Sequence, residues 1–306
     1  MDIRKKLMNE ASILYYEKGK TQSEIAKVMG LTRQTVSKLL NDAINERIVE
    51  IKVNTIENAC SQIEQELCEK YGIKKAVVSG VSSCDIFLCQ LSTVKAAANY
   101  VSDQIKKGNQ KIGISWGRTI EALIAELNNV DTVGNVVFPL FGATEQEQSY
   151  FSSNELARSF ADKINAKVKY AWFPYKTESA EDCNLFKKTA YFKSICELWR
   201  QIDIAIVGIG NEVMLQTFGK AFGYKKDFCS AVGDVATNFY DVDGKFLNIY
   251  DNTLSVSEEN LKCAKQTIAV ASGLDKAQAI ASALKSKIIN VLITDEYTAK
   301  KVLALK

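Results

Sequence analysis

The sequence predicts an α/β fold in two parts: a helical domain over residues 1–53, and a larger domain over residues 54–306 built on a doubly wound, mostly parallel sheet. Three observations predict it. Helical periodicity fills the first 46 residues. Beyond them, short runs of β-branched residues alternate with longer helical stretches, as in a sheet covered on both faces. Finally, the first 53 residues hold ten basic and seven acidic residues, which accounts for the whole net charge of +3.

Composition excludes several classes of protein. Hydrophobic residues make up 47% of the 306 and charged residues 25%, an ordinary balance for a globular chain. The charged N-terminus and the short apolar runs predict a cytoplasmic protein without a signal peptide or membrane span. Histidine is absent, which excludes Ser-His and Cys-His catalysis. The eight cysteines form no C-x-x-C pair, so we expect reduced thiols and neither a metal nor a cofactor.

The N-terminal domain begins with two predicted helices. Apolar residues recur at three- and four-residue steps over residues 2–18, which predicts an amphipathic helix that Gly19 ends. Thr21 and Glu24 then have the spacing of a capping box, in which each side chain binds the other residue's backbone N–H group. A short second helix is therefore expected from this box to about Val28.

Gly30 supplies a turn between the second helix and a third one, which Thr32 caps and which runs over residues 33–46. Two short helices joined by a glycine turn are the helix-turn-helix pattern, and the polar start of the third helix is where such proteins meet DNA. We predict DNA contacts from Thr21, Gln22, Thr32, Arg33, Gln34, Thr35, Ser37 and Lys38.

Within this set, Arg33 and Gln34 have the donor groups that suit base edges, whereas Thr35, Ser37 and Lys38 suit phosphates. The alternative is a three-helix module that binds protein or covers the next domain. Residues 47–53 alternate polar and apolar, which predicts a short strand or wing.

The second domain is predicted to begin with a linking helix over Glu57–Tyr71. Strands are expected at Lys75–Ser79, Lys111–Ile114, Asn135–Leu140, Val168–Ala171, Ile204–Gly208, Gln266–Ala271 and Val291–Thr294. Further helices are expected at Ser92–Lys107, Ile120–Asn128, Asn154–Ile164, Thr189–Gln201, Lys276–Leu284 and Tyr297–Leu305. Ligands of such folds bind at the carboxyl ends of the strands.

Three segments carry candidate ligand-binding residues. Ser115 to Thr119 pass from a strand through a glycine turn into a helix, whose free N–H groups predict a site for a phosphate or a polar sugar end. Asp234 can accept hydrogen bonds from sugar hydroxyls, and Lys276 lies where another strand leads into a helix. The glycines after the strands that end near Leu140 and Gly208 equally fit plain tight turns. Asp243-Gly244 predicts a hairpin turn.

The whole chain resembles the SorC family of bacterial sugar-responsive regulators, through LYYEKGKTQSEIAKVMGLTRQTVSKLL, GISWGRTI, DIAIVGIG, AVGDVATNFYDVDGK and NVLITDEYTAKKVL. The resemblance implies a domain related to sugar-phosphate isomerases that has lost their activity, a homodimer or homotetramer, operator DNA as partner and a sugar or sugar phosphate as effector. It implies an effector site of Ser115, Gly117, Arg118, Thr119, Gly142, Asn154, Asp234 and Lys276. The chain departs from the family where Phe141-Gly142-Ala143 replaces a double glycine, and where residue 141 is not lysine.

We therefore predict a DNA-binding transcription regulator of carbohydrate genes that is controlled by a sugar or sugar phosphate and is not an enzyme. One alternative is a sugar-phosphate isomerase with a DNA-binding arm, using Asp234 as base and Lys276 to stabilise charge. Another is a scaffold whose second domain only oligomerises.

Overall fold

The chain forms two compact units, residues 1–55 and 56–306, each with its own hydrophobic core. The computed structural model describes residues 3–49, 60–144, 150, 152–213, 215–216 and 230–305. Within those ranges, no helix is long and apolar enough to cross a membrane, and no three potential metal ligands cluster.

In its described residues, the first unit contains three helices, as predicted. They are α1 (Ile3–Ser12), which continues as a π-helical turn (Ile13–Glu17), α2 (Gln22–Met29) and α3 (Arg33–Asn45). Their apolar faces meet in one core, formed by Met8, Ala11, Ile25, Ala26, Val36, Leu39, Leu40 and Ala43.

The strand or wing predicted over residues 47–53 is not found in its described part. The N–H groups of Ile48 and Val49 both bind the carbonyl of Ala43, at 2.8 and 3.1 Å, so residues 47–49 fold back on α3 as a turn and a bend. Residues 50–53 lie outside the described residues.

Eleven strands are described in the second unit. They are β1 (Lys75–Ser79), β2 (Lys111–Ile114), β3 (Val136–Pro139), β4 (Lys167–Val168), β5 (Ile204–Gly208), β6 (Gly210–Asn211), β7 (Gly233–Val235), β8 (Asn238–Tyr240), β9 (Phe246–Leu247), β10 (Gln266–Val270) and β11 (Val291–Asp295). The helices are α4 (Ser61–Tyr71), α5 (Ile86–Ile105), α6 (Arg118–Glu126), α7 (Ser153–Lys163), α8 (Ala180–Lys188), α9 (Ala190–Arg200), α10 (Glu258–Cys263), α11 (Ala277–Lys285) and α12 (Glu296–Ala304).

Seven strands form the predicted parallel sheet, in the order β1-β11-β10-β5-β2-β3-β4. The middle strands are apolar at nearly every position because both faces of such a sheet are covered by helices. Ile204 to Val207 are all buried, and so is every residue of β11. This pattern explains why these strands could be predicted as short apolar runs.

A second, antiparallel sheet has the order β6-β7-β8-β9 and was not predicted. One of its turns was: β8 and β9 form a hairpin in which Gly244, with φ of +79°, donates its N–H group to the carbonyl of Asp241. The predicted hairpin at Asp243-Gly244 is therefore confirmed.

Two predicted element boundaries were wrong for identifiable reasons. Strand β4 ends at Val168 rather than Ala171, because the N–H group of Ala171 binds the side chain of Asn154 instead of a strand. Helix α5 begins at Ile86 rather than Ser92, since the carboxylate of Asp85 caps it. The linking helix begins, in the described residues, at Ser61; helix α8 was not predicted at all.

Candidate functional site

The start of α3 is fixed by two local features. Gly30, with φ of +66°, ends α2 in the left-handed conformation. Thr32 then has an extended backbone, and its hydroxyl accepts the N–H group of Thr35 at 3.1 Å. The first turn of α3 is thereby held at the surface while Val36 and Leu39 point into the core.

The residues predicted to contact DNA fall into two groups. The hydroxyls of Thr21, Thr32 and Thr35 serve the helix caps. The other side chains make no hydrogen bond or ion pair within the part of the chain that the structure describes; Arg33, Gln34 and Lys38 are exposed, and Gln22 and Ser37 are half-buried. The second group therefore has donors available for bases and phosphates.

Two ion pairs concentrate positive charge at the exposed end of α3. Arg4 binds Asp42 at 2.5 Å and Lys5 lies 3.7 Å from Glu46, so basic residues of α1 neutralise one acid in the last turns of α3 and one directly after it. The first six residues of α3, RQTVSK, contain no acid. These pairs are long-range contacts, which the sequence pattern did not reveal.

In the parallel sheet of the second unit, the order in which strands are added reverses between the neighbouring strands β2 and β5. Strand β2 leads through α6 to β3 on one side, whereas β5 leads towards β10 on the other, and β2 and β5 are neighbours. The connections after these two strands lead away from each other, and open α/β sheets bind ligands outside the carboxyl ends of strands at such a point. Ser115 follows β2 and Gly208 ends β5 at this point.

The turn after β2 is fixed by a backbone hydrogen bond and an aromatic contact. The N–H group of Ser115 binds the carbonyl of Ile206 at 3.0 Å, and Trp116 packs on Phe141 with ring centroids 4.2 Å apart. Gly117 has φ of +121°, which favours glycine, and no atom of a described residue lies within 4 Å of the position that a Cβ would take. The space beside Gly117 is therefore open. Ser115 is buried, so its contact with an effector stays a prediction.

Helix α6 starts immediately after this glycine. The N–H groups of Ile120 and Glu121 both bind the carbonyl of Gly117 at 3.0 Å. The amides of Arg118 and Thr119 belong to the first turn, whose N–H groups have no partner within a helix. Thr119 is half-buried, and its hydroxyl makes no hydrogen bond with another described residue. Together these donors can hold an anion at the positive end of the helix.

Sequence reasoning missed a residue that contacts this turn, Tyr150. Its carbonyl accepts the N–H group of Gly117 at 2.8 Å. Its ring lies 5.0 Å from the guanidinium of Arg118, and the Arg118 Nη2 atom is 3.4 Å from its hydroxyl. Tyr150 therefore holds the side chain of Arg118 beside the start of α6. No sequence signal links residues so far apart.

Asp234 and Lys276 are brought together from different elements. Asp234 lies on β7, and its Oδ2 atom accepts the N–H group of Thr237 at 3.0 Å. The N–H group of Lys276 binds the carbonyl of Gly273 at 3.0 Å, in the turn before α11. Both side chains are partly buried and close enough for each charge to shift the other's pKa.

Burial dominates the electrostatics of this pair. Burial raises the pKa of Asp234 to about 6, although the N–H group of Thr237 and the charge of Lys276 both act to lower it. Burial also lowers the pKa of Lys276, against the opposing effect of Asp275 and Asp234. A carboxyl that titrates near neutrality, beside an amine, can exchange hydrogen bonds with a polyhydroxylated ligand.

Two predicted effector residues are already engaged within the protein. Gly142 donates its N–H group to the carbonyl of Leu254 at 3.0 Å, and a Cβ there would lie 2.5 Å from the backbone of Pro174. The Asn154 amide both donates to the carbonyl and accepts the N–H group of Ala171. These contacts give both residues a structural role, and their contact with an effector stays a prediction.

The small antiparallel sheet positions Asp234, and sequence reasoning missed the residues that anchor it. Tyr240 is buried, and its hydroxyl donates to the carbonyl of Ala279 at 3.1 Å. The Asn211 amide donates to the carboxylate of Asp275 at 2.8 Å. Both contacts join this sheet to the segment that carries Lys276.

Comparison with known families assigns each unit separately. The sugar-binding domain family (Sugar-bind) matches residues 57–304, and sigma-70 region 4, a helix-turn-helix family, matches residues 13–46. The sorbitol operon regulator of Klebsiella pneumoniae is 31% identical over 99% of this chain and 98% of its own length. The deoxyribonucleoside regulator of Bacillus subtilis is 28% identical over 97% of each.

Solved structures agree with these matches. The full-length sorbitol operon regulator SorC from Klebsiella pneumoniae superposes with a TM-score of 0.73 at 28% identity, covering 97% of this chain and 98% of that one. A transcriptional regulator from Streptococcus pneumoniae gives a TM-score of 0.72 at 25% identity, covering 79% of this chain and 95% of that one.

A helix-turn-helix unit joined to a sugar-binding domain defines the class of the protein: a DNA-binding transcription regulator controlled by a sugar. Within that class the chain belongs to the SorC family, as the match over the second unit and the relatives along the full length show.

Proposed function

We propose that this regulator binds operator DNA through the exposed first turns of α3 and that a sugar phosphate, bound at the carboxyl ends of β2 and β5, changes its affinity for that DNA. One observation carries the proposal: β2 and β5 are neighbours, β2 leads into the start of α6, and β5 leads into β6, whose Gly210 pairs with Asp234.

The two parts of the proposed site, the start of α6 and the Asp234–Lys276 pair, suit the two ends of a sugar phosphate. The amides of Arg118 and Thr119 and the free Thr119 hydroxyl suit a phosphate. The carboxylate of Asp234 and the amine of Lys276 suit sugar hydroxyls, which both donate and accept hydrogen bonds. An unphosphorylated sugar would use only the second pair and would bind less tightly.

We also propose a regulator without catalytic turnover that acts as a homodimer or homotetramer. The names of the relatives support the first point, since they are regulators. The twofold symmetry common to helix-turn-helix proteins on palindromic operators supports the second. Aldose and ketose phosphates incubated with the protein should remain unchanged; turnover would instead favour the isomerase alternative.

The experiment is a thermal-shift screen of the full chain against free and phosphorylated pentoses, hexoses and alditols. A ligand at one hundred times its Kd stabilises the folded state by about 2.7 kcal/mol. Lys38→Ala provides the matched control, because it should weaken DNA binding and leave the thermal shift intact. If no member of the panel shifted the melting temperature, the proposed sugar-phosphate site would be wrong.

A further inference from the structure

The turn between β7 and β8 has an unusual backbone conformation. It consists of Ala236 and Thr237, whose φ angles are +47° and +66°. Two-residue hairpin turns of this kind strongly prefer asparagine, aspartate and glycine, because a Cβ is crowded at positive φ. A β-branched residue in that region is a genuine outlier. Glycine in place of Thr237 would relieve the strain.

The turn keeps its shape without the Thr237 side chain. The N–H group of Thr237 donates to the carboxylate of Asp234 at 3.0 Å. The side-chain amide of Asn238 donates to the carbonyls of Val235 and Ala236, both at 3.1 Å, and to that of Val256 at 3.3 Å. Backbone and asparagine contacts therefore fix the turn, and the threonine hydroxyl is not required for it.

The hydroxyl of Thr237 makes no hydrogen bond within the described part of the protein. The residue is 8% exposed, and its Oγ1 atom is buried without a hydrogen-bond partner among the described residues. An unpaired buried hydroxyl destabilises a fold, and native proteins rarely leave one. Thr237 thus carries two unfavourable features, a strained backbone and an unpaired hydroxyl, directly beside Asp234.

We propose that the Thr237 hydroxyl binds a hydroxyl group of the effector, next to the one that Asp234 binds, and so helps to select the sugar. The N–H group of Thr237 already binds Asp234 Oδ2 at 3.0 Å, so the threonine lies directly beside any ligand that the carboxylate holds. A carboxylate only accepts hydrogen bonds, whereas a threonine hydroxyl both donates and accepts, so the pair can read two neighbouring hydroxyls. The inference rests on the proposed function, since it assigns part of the same site.

Three variants of the full chain separate a ligand contact from a structural role. Thr237→Val keeps the shape and removes the hydroxyl, Thr237→Ser keeps the hydroxyl, and Thr237→Gly removes both hydroxyl and strain. Each is titrated with the member of the sugar-phosphate panel that shifts the wild-type melting temperature most. We expect Thr237→Val and Thr237→Gly to bind it about tenfold more weakly and Thr237→Ser to bind it nearly as the wild type does.

The unliganded proteins provide the second readout. Thr237→Gly should melt at a higher temperature than the wild type although it binds the sugar phosphate more weakly. Wild-type affinity in Thr237→Val, together with loss of binding in Asp234→Asn, would overturn this inference and leave the proposed function standing. If no sugar phosphate of the panel shifted the melting temperature of the wild type, both this inference and the proposed function would be overturned.

Discussion

Thr119 has a half-buried hydroxyl in the first turn of α6 that makes no hydrogen bond with another described residue. A phosphate bound there would accept a charge-assisted hydrogen bond, worth about 1.5–3 kcal/mol. We expect Thr119→Ala to raise the sugar-phosphate concentration that half-saturates the protein by roughly tenfold or more, while operator binding in its absence stays unchanged. Titration calorimetry measures the first quantity. Thr119→Ser should behave like the wild type; an unaltered midpoint in Thr119→Ala would place the anion elsewhere.

The carboxyl of Asp234 predicts a pH dependence. Its pKa of about 6 exceeds its ordinary value, so it acquires charge between about pH 5 and 7. Of the groups around it, Tyr240 has its pKa raised by burial and Lys276 has its pKa lowered by burial. Because the ionised carboxylate accepts sugar hydroxyls best, we expect effector affinity to rise from pH 5.5 to 7.5.

The same ionisation has the opposite effect on the free energy of unfolding of the unliganded protein. A pKa raised in the folded state means that ionisation destabilises the unliganded protein, so the contribution of Asp234 is lost as the pH rises through about 6. Phosphate itself also ionises near pH 6. Asp234→Asn therefore serves as the control, since only the part of the pH dependence that this variant lacks belongs to the carboxyl. An identical pH profile in both proteins would contradict the assignment.

Among the secondary-structure elements, α3 is the one that we propose for DNA recognition. Arg33→Ala should reduce affinity for a specific operator by about 1–3 kcal/mol if its fork reads a guanine. Lys38→Ala should weaken binding to any DNA. It should also reduce the slope of log affinity against log salt concentration by about one. Fluorescence anisotropy over a range of salt concentrations distinguishes the two. Equal effects of both variants on specific and random DNA would exclude Arg33 from base recognition.

The turn before α3 depends on Gly30. Its φ is +66°, and no atom of a described residue lies within 4 Å of the position that a Cβ would take, so Gly30→Ala changes only the backbone energy. We expect the free energy of unfolding of the N-terminal unit to fall by about 1 kcal/mol. Gly30→Asn is the matched control, because asparagine tolerates the left-handed conformation better. Circular dichroism during denaturation measures both; equal loss in the two variants would point to a cause other than φ.

Sequence predicted the elements whose pattern is local and long enough. Strands β5 and β11 are continuous apolar runs, and the caps at Thr21 and Thr32 follow from residue spacing. The strands of the antiparallel sheet span only two or three residues, too few to show a period. The first turn of α5 was missed because Ile86 and Phe87 are 66% and 69% exposed, which breaks the amphipathic pattern.

At the scale of the whole molecule, the site was predictable only in part. Thr119 and Lys276 lie in the segments that follow β2 and β10, and the carboxyl ends of parallel strands meet at one edge of the sheet. The contact of Tyr150 with Arg118 and that of Thr237 with Asp234 depend on tertiary packing or on a strained turn. Neither has a signature in residue spacing.

Control of DNA binding by a sugar requires a difference in affinity. The effector must bind the DNA-bound arrangement and the free arrangement with unequal strength, and DNA must then change effector affinity by the same factor. The anion site and the Asp234–Lys276 pair supply the contacts that could differ between two such arrangements. Reciprocity makes this coupling measurable from either side.

The most direct test of the account is a fluorescence-anisotropy titration of the operator complex with the sugar phosphate selected by thermal shift, in wild type and Thr119→Ala. We predict that the sugar phosphate changes operator affinity of the wild type by at least fivefold, within the usual range of coupling between sites, and that Thr119→Ala needs about ten times more of it. Operator affinity that is the same at zero and saturating sugar phosphate would contradict the central claim.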